Sequence, residues 1–501
     1  MRDRLLVALA AVAFPAAAQQ ACENLTRLTL PRVTITAASS VPAGQFTPPG
    51  QTAAIEAPAF CRVNAIVASE IRFELWMPVQ WNRKLLAVGN GGLAGTINYR
   101  QMTEPLERGY ATSSTDTGHQ GATNDASWAL GHMQRVIDFA HRSVHAMAEA
   151  DKAIIEAFYG ARPAHAYFSG CSQGGQEALM EAQRYPQDFE GIIAGDPANF
   201  WTHNQISHLW MVTVTQGDSY IPASKVPVIA NAVNEACDAL DGIKDGILND
   251  PRRCHFNPET LLCKSGDAPT CLTAAQVEAV KKIYRGPGEQ IYPGLLPGGE
   301  SGPGGWAQWI TGPRPQLGGH AMLGLPFFKY IVFEDPDWDF RSFQFAAPPG
   351  FDSDVQFTDD KLASIFNANN PDLSAFRANG GKLIQYHGFS DPDITPLSSI
   401  HFYESAEKAT PGVDGFYRLF LVPGMQHCGG GPGPAKFDMV SALEQWVEHG
   451  AAPDRVLASH VTATGAVDRT RPLCAYPMEA QWNGTGSTDE AQNFVCAAPK
   501  P

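Results

Sequence analysis

Gly170-x-Ser172-x-Gly174 lies between a β-prone run, Ala164 to Ser169, and a helix-prone run, Gln176 to Arg184. A serine set between strand and helix is pushed out of the sheet on a tight turn. The glycines are needed because side chains in that turn would collide. A helix starting at the serine also aims free backbone N–H groups at charge developing beside it. Taken alone, G-x-S-x-G also describes a plain Gly-rich turn. Its strand–turn–helix setting is what points to a nucleophile elbow.

The rest of the chain supplies strands and helices in alternation. Ile71, Phe73, Leu75 and Met77 alternate with Arg72, Glu74 and Trp76, as in a half-buried strand. Lys84 to Val88 reads as the next strand and runs into Gly89-Asn90-Gly91-Gly92. A Gly-rich loop after an early strand is where elbow enzymes keep a second oxyanion donor, although glycines also make plain turns. Val136 to Tyr159 reads as a long helix, with His141 and His145 as surface or packing residues; Gly191 to Asp196 reads as a short buried strand. The alternation argues for an α/β fold with a mainly parallel sheet.

The texture changes near Phe200. From there to about Phe345 the chain holds five of its ten tryptophans, four cysteines and the Gly/Pro-rich loop 286–305. Two helices are readable in it: Val228 to Leu240, and one opened by a Thr273/Gln276 capping box with Val277, Val280 and Ile283 on one face. This stretch reads as an inserted lid whose aromatic residues fit an apolar substrate pocket. The sheet then resumes with Lys382 to Gly388, ending at Asp391, and with Tyr417 to Val422, ending in Pro423-Gly424-Met425-Gln426-His427-Cys428. A last helix is expected over Ala435 to His449, with Phe437, Val440, Leu443 and Val447 on one side, followed by a loop-rich tail. The expected divisions are 1–18, 19–199 and 369–501 as the two parts of a catalytic domain, and 200–368 as the lid.

Residues 1–18 have the form of a secretory signal. Arg2 and Arg4 open it, Leu5 to Phe14 is apolar, and Ala16-Ala17-Ala18 offers a small-residue cleavage site. The apolar stretch is too short to span a bilayer, and no later segment is long enough. A net charge of −15 argues against nucleic acid or an anionic membrane as partner. Ten cysteines in an exported chain suggest five disulfides, and no C-x-x-C pair supports a zinc or redox site. The expected compartment is outside the cell or the periplasm.

An elbow serine needs a base, and the base needs an orienting carboxylate. On an elbow fold these follow in the order Ser, Asp or Glu, His, each at the C-terminal end of a strand. Ser172, Asp391 and His427 satisfy both order and placement. Asp393 is the alternative acid, and His387, which precedes the acid, reads as a turn or packing residue. Cys171 precedes the serine and Cys428 follows the histidine. Proton transfer requires Ser Oγ and His Nε2 within about 3 Å. That proximity brings Cys171 and Cys428 within disulfide range.

Gly170-Cys171-Ser172-x-Gly174-Gly175 with His427-Cys428 resembles the tannase and fungal feruloyl esterase family, across essentially the whole chain after residue 18. The resemblance implies an α/β-hydrolase core with a lid inserted after Asp196-Pro197-Ala198, and hydrolysis of aromatic-acid esters. It also implies the pairings Cys22–Cys61, Cys171–Cys428, Cys237–Cys254, Cys263–Cys271 and Cys474–Cys496. By itself the segment Cys237 to Ile247 reads as a solvated acidic turn. The resemblance implies a structural calcium ion there, held by the side chains of Asp238, Asp241 and Asp245 and the carbonyls of Ile243 and Ile247.

The chain is therefore expected to be a serine carboxylesterase with no catalytic cofactor. Gln173 and Gly92 are the expected oxyanion donors, and a small aromatic ester is the expected partner. Feruloyl-type esters come first, gallate esters next, and the mono(2-hydroxyethyl) terephthalate ester third. The last needs a lid cation to meet its free carboxylate; Arg314 and Lys329 are available. Two other readings are a non-catalytic phenol- or sugar-binding protein on the same fold and a disulfide exchanger using Cys171. A complete triad argues against the first, and a Cys171–Cys428 bond removes the second.

Overall fold

A computed structural model describes residues 20–68, 70–346 and 352–499; the expected signal segment lies outside the described residues. Nine strands form the main sheet: β1 (Val33–Val41), β2 (Phe60–Val67), β3 (Ile71–Pro78), β4 (Lys84–Val88), β5 (Ala111–Thr115), β6 (His165–Cys171), β7 (Gly191–Gly195), β8 (Lys382–Gly388) and β9 (Tyr417–Val422). Their order is β1-β2-β3-β5-β4-β6-β7-β8-β9. β1, β2, β3 and β5 pair antiparallel, and every pair from β5 to β9 is parallel.

The parallel strands are apolar because both their faces are covered. Successive residues turn to opposite sides. Leu85 and Ala87 join a core with Met147, Ile154 and Leu179 of helices Ser143–Tyr159 and Gln173–Arg184. Leu86, between them, joins a different core with Leu443 and Trp446 of helix Met439–His449. Ile192 and Ala194 against Ile193 repeat the pattern on β7. The result is an α/β fold with helices on both faces of the sheet.

The 136–159 stretch forms a helix (Met133–Ile137), a π-helical turn (Asp138–Arg142) and a second helix (Ser143–Tyr159) that stops at Gly160 with φ 73°. His141 and His145 are half-buried packing residues: His141 Nδ1 lies 2.8 Å from the Tyr185 hydroxyl, and His145 stacks on the Tyr185 ring.

Between β7 and β8 the chain adds no strand to the main sheet among the described residues. It forms helices instead, including Trp201–Val214, Val226–Cys237, Ala274–Arg285 and Gly319–Pro326. The Thr273/Gln276 capping box is present. Val277, Val280 and Ile283 pack with Ile229, Val233 and the buried Trp306 in a separate small core.

Two local expectations are corrected. The last helix begins at Met439, where the Asp438 side chain accepts from Ser441 N at 2.9 Å. Phe437 therefore lies in a short strand, Lys436–Phe437, with its ring 5.0 Å from that of Tyr386. The tail is also strand-rich: Arg455–Val461 pairs with Lys436–Phe437 and with Val467–Cys474, and Glu479–Trp482 pairs with Phe494–Ala497. The strand Val467–Cys474 opens on the charged run Val467-Asp-Arg-Thr-Arg, which lacks the apolar alternation that marks a half-buried strand. Five disulfides form, with the pairings the resemblance implied, and no free cysteine remains among the described residues. No described helix is long and apolar enough to cross a membrane.

The helix after the elbow is seated against β7 by a glycine. A Cβ at Gly175 would lie 2.3 Å from Gly195 O and 2.8 Å from Pro197 Cα, both backbone atoms that cannot swing away. Gly175→Ala is expected to destabilise the protein by about 1–3 kcal/mol, read as a thermal unfolding midpoint lowered by several degrees; an unchanged midpoint would contradict this packing.

Candidate active site

The C-terminal ends of the parallel strands converge on one region, as ligand sites do on open α/β sheets. At the end of β6, Ser172 has φ 66° and ψ −120°, a strained conformation for a residue with a side chain. It is held by Ser172 N donating to Gly195 O at 3.0 Å and by Ala198 N donating to Ser172 O at 3.2 Å. Gly170 is required because a Cβ there would lie 2.3 Å from Gly174 O.

The loop after β4 presses on the same turn. Gly174 N donates to Asn90 O at 3.0 Å. Glu177 ties the two together from beneath: its Oε2 accepts from Asn90 N at 3.0 Å and its Oε1 from Gln173 Nε2 at 2.8 Å. Burial pushes the Glu177 carboxyl up to about 7, against the hydrogen bonds from Gln173 and Asn90. Gly92 has φ 60° and leaves no room for a Cβ, which would sit 2.5 Å from Thr123 O. Among the described residues, neither the Gln173 nor the Gly92 backbone N–H donates to a protein acceptor.

Asp391 follows β8. Its Oδ1 accepts from the N–H groups of Asp393 and Ile394 at 2.8 and 3.0 Å, and its Oδ2 lies 2.8 Å from His427 Nδ1. One oxygen is thus fixed by backbone while the other orients the imidazole. Asp393 lies on the opposite side of that ring, with Oδ2 3.4 Å from His427 Nε2. The two aspartates are not alternatives, because each meets a different nitrogen. Burial disfavours the imidazolium of His427, but Asp391, Asp393 and Asp196 outweigh it and raise its pKa. His387 is buried, with Nδ1 2.6 Å from Ser399 Oγ and Nε2 2.9 Å from Ile394 O, and it lies 3.3 Å from Asp391.

Asp196, just beyond β7, was not singled out in the sequence, where it appears only as the residue ending an apolar strand. Its Oδ1 accepts from Gly388 N at 2.6 Å and its Oδ2 from Cys428 N at 3.2 Å, so it braces both the acid-bearing and the histidine-bearing loops. Burial pushes it up to about 6, with the Asp391 charge adding to the rise and His387 opposing it. Above it, Cys171 and Cys428 are bonded with Cα atoms 5.9 Å apart.

Ser172, His427 and Cys428 line one cavity of about 1020 Å³, large enough for a drug-sized molecule. One wall comes from residues 89–101, including Gly92 and Arg100; the other comes from the inserted segment, including Trp309, Leu317 and Met322. The Trp309 ring stands edge-on to His427 with centroids 5.0 Å apart. Arg314 and Lys329 are not among the lining residues; the cation in the wall is Arg100. Among the described residues, Ser172 Oγ makes no hydrogen bond to His427, as is common before substrate draws such groups together.

The acidic segment 237–247 lies apart from this cavity. Asp238 Oδ1 accepts from Gly246 N, Asp241 Oδ1 from Ile243 N and Asp245 Oδ1 from Ile247 N, at 2.9–3.1 Å. The loop is bent at Gly242 and Gly246, with φ 90° and 79°. Asp245 also meets Arg471 Nη2 at 3.0 Å. The carbonyls of Ile243 and Ile247 accept no hydrogen bond among the described residues. Burial, together with neighbouring Asp245 and Asp238, pushes Asp241 up to about 6. Three carboxylates and two unpaired carbonyls supply oxygen donors of the kind calcium takes, although the three carboxylates do not all lie within 4.8 Å of one another.

The family model described as tannase and feruloyl esterase matches residues 55–497. The chain belongs to the tannase and feruloyl esterase family. It is 41% identical to an uncharacterised esterase of Xanthomonas campestris over 98% of this chain and 94% of that one. It is 35% identical to the mono(2-hydroxyethyl) terephthalate hydrolase of Piscinibacter sakaiensis over 97% and 93%. Among solved structures it is similar to feruloyl esterase B from Aspergillus oryzae, with a TM-score of 0.85, 28% identity, and coverage of 95% and 99%. This family member is a carboxylic ester hydrolase.

Glu177 makes the loop–elbow contact pH-sensitive. Its pKa is raised on folding, so its contribution to stability is full below about 4.5 and is lost as pH rises through about 7. Glu177→Gln stays neutral. The unfolding midpoint of the variant minus that of the parent is therefore expected to increase from pH 5 to pH 8; a flat or falling difference would refute the raised pKa.

Proposed function

We propose that the protein is an exported serine carboxylesterase of aromatic-acid esters, with Ser172 as nucleophile, His427 as base and Asp391 as the orienting acid. The observation that carries this reading is the shared cavity. It is lined by an elbow serine and by a histidine whose far nitrogen is fixed by a buried carboxylate. His427 Nε2 takes the proton of Ser172 Oγ as Oγ attacks the ester carbonyl. The resulting imidazolium is stabilised by Asp391. The oxyanion meets the free N–H groups of Gln173 and Gly92, and each such donor is worth about 100- to 1,000-fold in rate. His427 returns the proton to the departing alcohol, then activates water to release the acid.

The apolar wall of Trp309, Leu317 and Met322 fits an aromatic acyl group, and hydroxycinnamate esters are the first choice. Gallate esters need more polar contacts. A second reading rests on Arg100, a cation in the opposite wall that fits the free carboxylate of a terephthalate monoester. Export is supported by five disulfides, which persist in oxidising compartments.

Purified protein and Ser172→Ala would be compared on methyl ferulate, methyl gallate, mono(2-hydroxyethyl) terephthalate and a simple aliphatic ester. Aromatic turnover is expected to fall at least 1,000-fold in the variant. Substantial turnover by Ser172→Ala would sink the nucleophile assignment. If Arg100 reads a carboxylate, Arg100→Ala raises KM for the terephthalate monoester at least tenfold while leaving methyl ferulate nearly unchanged.

The acidic loop fits a structural calcium ion, held by Asp238, Asp241 and Asp245 with the carbonyls of Ile243 and Ile247. The ion would brace the inserted segment and neutralise the crowded carboxylates. Chelation with EGTA is expected to lower the unfolding midpoint, with recovery on adding calcium and no such response in Asp241→Asn. A chelator-insensitive, metal-free protein would exclude the site.

A further inference from the structure

Three side chains that the ester chemistry leaves unused meet beside His427. His208 comes from helix Trp201–Val214, His320 from helix Gly319–Pro326, and Asp393 from the loop after β8. Their exposures are 1%, 1% and 4%. Both imidazoles bring Nε2 close to the same atom: Asp393 Oδ1 lies 2.9 Å from His208 Nε2 and 3.4 Å from His320 Nε2. The two rings stack with centroids 4.6 Å apart and 19° between their planes.

The separations are those of hydrogen bonds, but the directions are not. His208 Nδ1, both nitrogens of His320 and Asp393 Oδ1 are buried without a hydrogen-bond partner among the described residues. Buried polar groups are almost always paired, so this concentration calls for an explanation. One ligand atom from each of the three residues lies within 4.8 Å of the other two. In a tetrahedral zinc site, bonds of 2.0–2.2 Å separate neighbouring ligand atoms by about 3.3–3.5 Å; the His320–Asp393 separation of 3.4 Å falls in that range and the His208–Asp393 separation of 2.9 Å is shorter. Asn204 Nδ2 lies 3.4 Å from His208 Nε2, and Asn204 Oδ1 is also unpaired. A half-turn of that amide would bring a fourth donor to the same place.

We propose that His208, His320 and Asp393 form a buried binding site for a divalent cation of the zinc class. Two imidazoles and one carboxylate suit Zn²⁺ and Co²⁺, whereas Ca²⁺ takes six to eight oxygens. This chemistry distinguishes the site from the acidic loop at 237–247. Two ligands belong to the inserted segment and one to the loop that carries Asp391, so the cation would fasten that segment onto the sheet. It would also share Asp393 with His427, whose Nε2 faces the other carboxylate oxygen at 3.4 Å. The inference concerns cation binding and does not depend on the identity of the ester.

The full chain, stripped of metal and held in millimolar calcium to occupy the acidic loop, would be titrated with Zn²⁺ by calorimetry and metal analysis. One equivalent per chain is expected, with a raised unfolding midpoint. Affinity should fall at least tenfold in His208→Asn and in His320→Asn, and stay unchanged in His255→Asn, an exposed histidine. Co²⁺ added to the parent protein should give the d–d absorption of a low-coordinate nitrogen–oxygen site. Zinc binding that ignores both substitutions, or no stoichiometric zinc in the parent, would overturn the proposal. Absence of the cobalt bands would do so even if both variants failed to fold.

Discussion

Cys171 ends β6 and Cys428 lies in the loop after β9, strands three places apart in the sheet, a span of about 14 Å at the usual strand spacing. They are nevertheless bonded, with Cα atoms 5.9 Å apart. The loop after β9 must therefore lean over the ends of β8 and β7 to reach the elbow. Everything beneath it adjusts to that reach. A Cβ at Gly388 would lie 2.5 Å from Met425 O, so the end of β8 has no side chain where the loop crosses. Asp196 fills the remaining gap and takes N–H donors from both loops. A closure of 257 residues is also the kind that most restricts the unfolded chain.

Three buried carboxylates beneath the bridge pose a problem of charge. Asp196, Asp391 and Asp393 are all buried within reach of His387 and His427. Buried charges are tolerated only when paired and hydrogen-bonded. Asp391 meets that condition completely, through two backbone donors and the His427 ring. Asp393 meets it less fully, because its Oδ1 has histidines near it but no hydrogen bond. Two carboxylates two residues apart thus play different parts: one is locked to the backbone, the other faces outward toward the inserted segment.

Much of this was legible because the determinants were local. The elbow and the paired Cys-Ser and His-Cys steps each sit within a few residues. The short apolar run Leu85 to Val88, closed by Gly89, fits a strand covered on both faces. What stayed hidden was long-range or depended on polar contacts. The tail strands are short or open on charged residues, as at Asp468, Arg469 and Arg471, so their sequence only weakly announces a sheet. Asp196 reads as an ordinary strand end until two loops from 190 and 230 residues further on arrive beside it. His208 and His320 stand in apolar helices, where a single histidine usually signifies a packed ring; only the fold shows that they face the same oxygen. Charge alone does not tell which residue reaches a cavity: Arg100 lines it, and Arg314 and Lys329 do not.

The cavity has two walls of different origin. Residues 89–101 are bound to the sheet through β4, and their loop is pinned to the elbow by Glu177. Trp309, Leu317 and Met322 hang from helices and turns with no strand of the main sheet among them. A substitution in the first wall disturbs the elbow along with the ligand; one at Leu317 or Met322 in the second alters the ligand's surroundings, and of the three only Trp309 packs against His427. Over evolutionary time the two walls can therefore diverge at different rates. The inserted segment is the part of the molecule free to explore new substrates, while the sheet keeps one reaction unchanged beneath it.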